Sequence, residues 1–511
     1  MDHNGKERKL TRRDFMKATG GATAMAGLAA TGLLLNPGAS MAAELPEKWD
    51  AKEDVVVIGS GFAGLAAAIE AKSAGASVVV YEKMRVAGGN SIINGGVVAA
   101  AGSPLQAEKG VKDSPDLLYQ DMMKAGLYLN HTELARMVAE QSNEVVQWTI
   151  NYLGVKYKSL VHLGGHSVPR SYLTHNSSGS AIVTRQLAKL KELGVQVKTR
   201  IYLENIIRNK DGRVVGVKIR EGFKFPNEKS GNVKYVKANK AVIMATGGFS
   251  NDVAFRLIQD PKLASDVDST NQPGATAEAL KEALRIGATP VQPSWIQLGP
   301  WTSPDEKGFG AAPHFVAGVI FPYGIMVDPS TGKRFVNELA NRKVRADAII
   351  KTGHPCIGIA DQVGTARRKK LVEKLLKRGV VKKFDSLEDL CAAYKIPLKA
   401  AKESVENYNR YLKAGEDKEF GRYLQKDAKP VVQTPYYGVR IWPKVHHTMG
   451  GIQINKKAEV MDLNQQPING LYAAGELAGG VHGAVRLGSC AVVDCLVFGR
   501  IAGKNAAVKK S

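Results

Sequence analysis

Cysteine is scarce in this chain of 511 residues: four occur, Cys356, Cys391, Cys490 and Cys495, and no two form a Cys-x-x-Cys pair. That excludes a disulfide scaffold and the usual thiolate metal sites; only His482 stands near the closer pair. No Cys-x-x-Cys-His occurs, so this chain attaches no c-type haem. Aromatic residues make up only 7%, and the lysines are scattered rather than gathered along a groove. Nucleic acid is therefore a poor fit, despite a formal charge of +23. That charge suits an acidic protein partner or an anionic small molecule. No uncharged apolar run reaches the roughly 20 residues that a membrane span requires.

Glycine, by contrast, is abundant at 53 residues. It is most telling in Val55-Val-Val-Ile-Gly-Ser-Gly-Phe-Ala-Gly64, where a β-branched strand runs into Gly59, Gly61 and Gly64 and then into a small-residue helix. This spacing makes a tight turn, lets backbone approach a pyrophosphate, and lets helix and strand sit close. The pyrophosphate then meets the positive end of the helix. A second strand, Ser77 to Tyr81, ends on Glu82, about 20 residues past the glycines, where a ribose hydroxyl is held. Gly88-Gly-Asn-Ser91 and Gly95-Gly96 offer more bare backbone. Lys240 to Ser250 reads as another strand, ending on Thr246, Gly247 and Gly248 at a carboxyl end, where open α/β sheets bind ligands.

Between these landmarks, apolar spacing predicts helices from Asp113 to Leu153 and from Ile182 to Leu193. Alternation predicts strands from Val195 to Ile207 and antiparallel ribbons at Val214 to Ile219 and Val233 to Val236. His166 and Arg170 lie in a polar loop and fit either an active site or a loop tether. The stretch 361–428 is lysine-rich and helical, with Leu371, Leu375 and Leu376 placed on one face. At the N-terminus, Lys9 to Lys17 with paired Arg12 and Arg13, an apolar stretch from Ala22 to Leu35 and the small residues Ser40 to Ala42 form a signal peptide resembling the bacterial twin-arginine type. The mature protein is then periplasmic, beginning near Ala43, with no integral membrane segment.

Further motifs make the pattern specific: Gly274-Ala-Thr-Ala277, Arg334-Phe-Val-Asn-Glu338 with Arg342, Val445-His-His-Thr-Met-Gly-Gly451, Gly470 to Glu476, Gly480 to Gly488, and Phe498 to Gly503. With Gly59 to Gly64, Glu82, Gly88 to Ser91 and Ala245 to Phe249, they resemble the flavin subunit of the fumarate reductase and succinate dehydrogenase superfamily. The nearest branch is that of soluble periplasmic flavocytochromes c, which includes fumarate, urocanate and methacrylate reductases; a haem domain is lacking here. The resemblance implies an α/β fold: a Rossmann-like two-dinucleotide-binding FAD domain, residues 52–293 and 447–511, with an inserted α+β capping domain, residues 294–446, behind a signal peptide at 1–43. It implies FAD held by Gly59, Gly61, Phe62, Ala63, Gly64, Glu82, Lys83, Gly89, Asn90, Ser91, Gly95, Gly96, Thr246, Gly247, Gly248, His447, Gly475, Glu476, Arg486, Ala491 and Val492. Gly89 to Asn94 contains no histidine, so the flavin is expected to be non-covalent.

The chemistry implied is reduction of a carbon–carbon double bond beside a carboxylate, with hydride from flavin N5 and a proton from Arg342. His446 and Arg486 match the carboxylate clamp. The alternatives for these residues are ordinary: Arg342 could cap a helix or pair with Glu338, Arg486 could be a buried ion pair, and His447 a satisfied core histidine. Departures from the fumarate pattern point to the substrate. Gly299 stands where a clamping histidine would be, and Phe315 to Tyr323 replaces a segment that feeds protons to the arginine. With Trp301, Phe315, Phe321 and Tyr323 in their place, an unpaired second carboxylate would be costly. A monocarboxylic enoate such as acrylate, methacrylate or an arylacrylate is expected, with Trp301, Phe321 and Tyr323 as substrate contacts. His314, Tyr323, Asp305 and Glu306 are open candidates for the proton route. Electrons are expected from a separate periplasmic cytochrome c. Fumarate reduction proper, an FAD-dependent dehydrogenase or oxidase, and a flavin-bearing shuttle are the competing readings.

Overall fold

Val55, Val56 and Val57 have no exposed surface, as befits a strand buried on both faces of a parallel sheet. In the computed structural model, which describes residues 45–508, they belong to the strand Ala51–Ile58. The signal-peptide expectation at 1–43 lies outside those residues. The strand is flanked in parallel by Val78–Glu82 and Asn232–Met244. Gln196–Thr199 extends the sheet beyond Val78–Glu82, and Pro467–Ala473 extends it beyond Asn232–Met244, both in parallel. All these carboxyl ends open on one edge, where the glycine turns lie. Gly59 has φ +104°, and a Cβ there would stand 2.2 Å from the Ala245 carbonyl oxygen, so no other residue fits.

The alanine-rich helix Phe62–Ser73 packs against the C-terminal helix Cys490–Val508. The crossing is close because Gly499 and Gly503 face it: a Cβ on Gly503 would lie 2.2 Å from the Ala67 carbonyl oxygen. The expected helices at 113–153 are Pro115–Ala125 and Thr132–Asn151. The ribbon at Val233 to Val236 and the strand from Lys240 are one strand of 13 residues, Asn232–Met244. Its first half alternates in burial and pairs with Val214–Glu221; its second half, from Ala241, is fully buried and joins the parallel sheet.

By backbone proximity residues 45–508 form one unit, but the apolar side chains divide into three cores. The largest draws on residues 55–288 and 452–507, and the other two on residues 301–441. The smaller pair flanks an antiparallel sheet in the order Ile325–Val327, Cys356–Ala360, Tyr436–Ile441, Val381–Phe384. The basic helix Lys369–Lys377 buries Val372 and Leu375, while Leu371 and Leu376 flank the core half-buried. Phe315 to Tyr323 is helical, with a widened turn over Val316–Ile320.

One ionic network positions the site. Arg334 pairs with Glu338 and Asp417, both at 2.8 Å, and Arg422 reaches Glu338 at 3.3 Å, all fully buried. Glu338 also accepts the Met326 N–H at 3.1 Å. The motif Arg334 to Glu338 is therefore a brace, and removing one partner of such a buried network costs about 3–5 kcal/mol. The brace holds the turn that ends at Asn341, whose side chain accepts the Val344 N–H (3.0 Å) and starts the helix Arg342–Lys351.

Candidate active site

A cleft of about 920 Å³ opens where the first strand meets its glycine turn. Of the residues expected to hold the cofactor, Gly59, Gly61, Phe62, Ala63, Glu82, Lys83, Gly89, Asn90, Ser91, Thr246, Gly247, Gly475 and Glu476 line it. Glu82 accepts the Ser60 N–H (3.1 Å) and the Met84 N–H (2.8 Å), which hold its carboxylate at the cleft wall. Gly61 has little room to spare, since a Cβ there would stand 3.1 Å from Ser91 Oγ. The remaining expected residues do not line this cleft. Gly64 is a packing residue, its Cβ position 2.0 Å from the Gly59 carbonyl oxygen. Gly96 is wedged on Thr174 and Ser178, and Gly95 has open space around it. Gly248 abuts Thr448 and Glu476; Ala491 and Val492 belong to the first turn of the last helix. The cleft has further walls in Tyr202, Leu203, Gln272 and Thr276. The two from the strand Ile201–Arg208 carry no sequence signal, because any apolar strand reads the same.

His447 and Arg486 lie in a second group of side chains, with Arg342 and His446. Arg486 is buried, its Nε has no partner, and its Nη1 reaches only the Leu487 carbonyl oxygen at 3.4 Å. Arg342, half-buried, donates Nη1–H to Gln297 Oε1 at 3.0 Å, and its guanidinium lies 4.6 Å from the Trp301 ring centroid. Gln297 Nε2 in turn donates to the Arg486 carbonyl oxygen at 3.0 Å. One buried amide thus ties both arginines together. His446 Nδ1 lies 2.8 Å from Thr270 Oγ1, and its ring meets Trp301 edge-on at 5.1 Å and Phe309 at 6.5 Å. Arg345, one helical turn past Arg342, is buried too. Among the described residues no carboxylate forms an ion pair with Arg342, Arg345 or Arg486. Glu338, which could have neutralised Arg342, is taken by Arg334 and Arg422.

Burial and mutual repulsion act on these groups together. Burial, then Arg486 and Arg345, hold the Arg342 guanidinium well below its ordinary value. Burial lowers Arg486 to about 10, despite the attraction of Glu476. His446 is depressed by burial, Arg342 and Arg486, and His447 by burial and Arg486, so both imidazoles are neutral. Glu476 is pushed up to about 7 by burial, against the Thr448 N–H it accepts at 2.9 Å. Desolvated cations with no counter-ion are costly in an empty protein and form a ready anion site.

The aromatic wall differs from expectation. Trp301 stands at the cluster, joined by Phe309. Phe315 and Phe321 belong to a hydrophobic core, and Arg345 lies over the Phe321 ring at 4.4 Å. Tyr323 points its hydroxyl at Asp427 (3.4 Å) and receives Arg367 on its ring (4.1 Å), among exposed charges. Among the described residues no hydrogen bond or ring contact joins Phe321 or Tyr323 to Arg342, His446 or Arg486, although Phe321 shares its core with Trp301. Most of the proton-route candidates are engaged elsewhere. Asp305 pairs with Arg440 (2.8 Å), Glu306 accepts the N–H groups of Ala311 and Ala312 and pairs with Arg378 (3.3 Å), and His314 is exposed beside Phe309. His166 and Arg170 are tethers: Arg170 pairs with Asp113 (2.9 Å) and Asp121, and His166 Nε2 meets the Gly488 carbonyl oxygen at 2.7 Å.

The sequence profile of the FAD binding domain family matches residues 54–492. The chain belongs to that family. It is 43% identical to the acrylate reductase flavoprotein subunit of Shewanella woodyi, over 97% of this chain and 98% of that protein. It is 34% identical to the urocanate reductase of Eggerthella lenta, over 91% of this chain and 76% of that one. A flavocytochrome c3 fumarate reductase in its open conformation has the same fold, with TM-score 0.73 and 34% identity over 90% of this chain and 78% of that one. This member of the FAD-binding family is thus an FAD-dependent oxidoreductase of the fumarate reductase kind, acting on carbon–carbon double bonds. The twin-arginine signal profile matches residues 9–29, which routes the protein to the periplasm. Among the described residues no helix is long and apolar enough to cross a membrane.

The residues present fit a flavin dinucleotide. Gly59 and Gly61 present bare backbone to the cleft beside Glu82 and Ser91, and His447 Nε2 and Arg486 Nε are buried polar atoms with no partner among the described residues.

Proposed function

We propose that this enzyme reduces the double bond of a 2-enoate bearing one carboxylate, such as acrylate, methacrylate or an arylacrylate. The observation that carries the reading is the pair Arg342 and Arg486, two desolvated guanidinium groups that form no ion pair with a carboxylate among the described residues. Arg486 offers a two-pronged donor to the substrate carboxylate. In the tautomer whose Nδ1 accepts from the Thr270 hydroxyl at 2.8 Å, His446 offers Nε2–H to the same group. Negative charge that grows on the carboxylate in the transition state is met by donors already in place. The bound flavin supplies the reducing equivalents as hydride. Arg342 gives its proton to the α carbon; its depressed proton affinity suits it to that task, and Gln297 fixes its direction. Trp301, against both Arg342 and His446, keeps water from them.

Gly299 supports the monocarboxylate. A Cβ there would sit at ordinary contact distance, 3.5 Å, from both His446 and Trp301, so the glycine leaves bare backbone beside them where a clamping side chain would stand. The rings beside His446 on that side are Trp301 and Phe309, and the buried Lys444, paired across the strands with Gly299, is neutralised by Asp268 at 2.8 Å. The relative from Shewanella woodyi, an acrylate reductase subunit by name, agrees with this choice. Residues 294–446 act in this reading as a cap on an FAD domain made of 52–293 and 447–511, with FAD non-covalent. A separate periplasmic cytochrome c delivers electrons, steered by the basic surface.

The test is oxidation of reduced viologen by a panel of acids: acrylate, methacrylate, cinnamate, urocanate and fumarate. One of the monocarboxylates is expected to have the highest kcat/KM. Fumarate as the best substrate by tenfold or more would overturn the pocket argument.

A further inference from the structure

A guanidinium that surrenders a proton each turnover has to be recharged; of the groups expected to do so from the sequence, Asp305, Glu306 and Tyr323 are engaged elsewhere, and His314 lies at the surface with the Phe309 ring between it and His446. Arg345 is the group the structure leaves in position. It lies three residues beyond Arg342 on the helix Arg342–Lys351, so the two side chains share one face with their Cβ atoms about 5–6 Å apart. It is 5% exposed and has no ion-pair partner among the described residues. Its Nη1 donates to the Glu338 carbonyl oxygen at 3.2 Å, its Nε–H is unpaired, and its planar group lies over Phe321. Its outer end reaches the loop at Gly164, where a Cβ would be 3.7 Å from Nη2. Gly165, the next residue, is exposed to solvent.

From this placement we propose that Arg345 passes protons from water at the Gly164–Gly165 loop to Arg342, and that its positive charge keeps Arg342 a competent acid. The inference rests on the reading of Arg342 as proton donor. The step balances with one proton: Arg342 loses H⁺ to the α carbon, Arg345 hands H⁺ to Arg342, and water recharges Arg345. Arg345 acts through Arg342 and is a positioning residue in that sense.

Its surroundings support the assignment. The charged groups facing the pair are few. On the inner side Arg342 sees Arg486, His446 and the Cys490 thiol, which burial pushes up to about 12. On the outer side the Glu338 carboxylate is saturated by Arg334 and Arg422. The loop contributes His166, engaged by Gly488, and exposed His162, bonded to the His166 carbonyl oxygen at 2.7 Å. Burial lowers Arg345 to about 9, so it is nearer to exchanging its proton than an ordinary arginine.

The experiment compares Arg345→Met and Arg345→Lys with the parent holoenzyme, reading kcat, KM, the pH profile, flavin content, melting temperature and the enoate-induced change in flavin absorbance. Met is expected to lower kcat by about 10²-fold or more, the scale of a lost proton-transfer route. It should leave KM and the absorbance titration within about twofold, since the carboxylate grip is elsewhere. The alkaline limb of kcat should move to higher pH, because removing a neighbouring cation makes Arg342 hold its proton more tightly. Lys, which keeps charge and an exchangeable proton, should recover most of the loss. A Met variant with parental kcat and pH profile overturns the relay. So does an equal loss in Met and Lys that tracks lost flavin or melting temperature. A parent enzyme that reduces no enoate would instead sink the functional reading.

Discussion

Gln297 offers the sharpest test of the cluster, because one amide serves both arginines. In Gln297→Leu the bond from Arg342 Nη1 and the bond to the Arg486 carbonyl oxygen, each 3.0 Å, disappear together. A hydrogen bond to a charged group contributes about 1.5–3 kcal/mol and a neutral one about 0.5–1.5 kcal/mol. If roughly half of that sum is realised in the transition state, about 1–2 kcal/mol, kcat falls about 5- to 50-fold. Gln297→Glu keeps the shape and places a carboxylate 3.0 Å from Arg342 Nη1. At that distance an effective dielectric of about 20 gives an attraction near 5 kcal/mol. Arg486 and Arg345 compete for the same charge, so the net effect is smaller, but its sign is definite: Arg342 holds its proton more tightly and becomes a poorer acid. The anion site is also half neutralised. Gln297→Glu should therefore lose at least as much kcat as Gln297→Leu, about 10²- to 10³-fold, and raise KM as well. Initial rates of viologen-coupled acrylate reduction, from about pH 6 to about pH 10, measure both effects, with flavin absorbance as the check on folding. A Glu variant with kcat within about twofold of the parent would refute the argument that a counter-ion-free arginine is the acid.

Two other expectations follow from the fold and from burial. Gly59→Ala forces a side chain to within 2.2 Å of the Ala245 carbonyl oxygen at φ +104°, so the purified protein should carry little flavin by its absorbance ratio, or fail to fold. Glu476 holds its proton up to about 7 in the folded protein against 4.5 in the unfolded chain. Between those values the folded state binds more protons, so the flavin-free protein loses stability as pH rises through that window, by an amount on the order of 3 kcal/mol. Glu476→Gln should flatten that dependence and raise the melting temperature above pH 7 relative to the parent; parallel melting curves for the two proteins would show the burial argument to be wrong.

The frame of the cleft is largely legible in the sequence. Gly59, Gly61 and Glu82, which line it, stand out because the signals are local: a positive φ, a missing Cβ and an acid at a strand end are properties of short stretches of chain. The resemblance that named Arg342, His446 and Arg486 also brought together three residues that prove to share one desolvated cluster with Gln297. The aromatic wall is only partly legible. Phe321 and Tyr323 follow Trp301 closely in sequence, but a helix over Phe315 to Tyr323 turns them into a core and toward surface charges. Periodicity alone could have drawn attention to Arg345, three residues past Arg342. Its burial without a counter-ion could not be known, since that depends on Glu338 being claimed from two other directions.

By itself, then, the sequence determined where backbone must pass close to a dinucleotide, because glycine's conformational freedom and a strand's burial pattern are written residue by residue. Only the tertiary structure decided which side chains face the reacting molecule and which cations are left without partners. Those outcomes depend on segments as distant as Gln297, Arg342 and Arg486 packing against one another, and on the loss of water when they do.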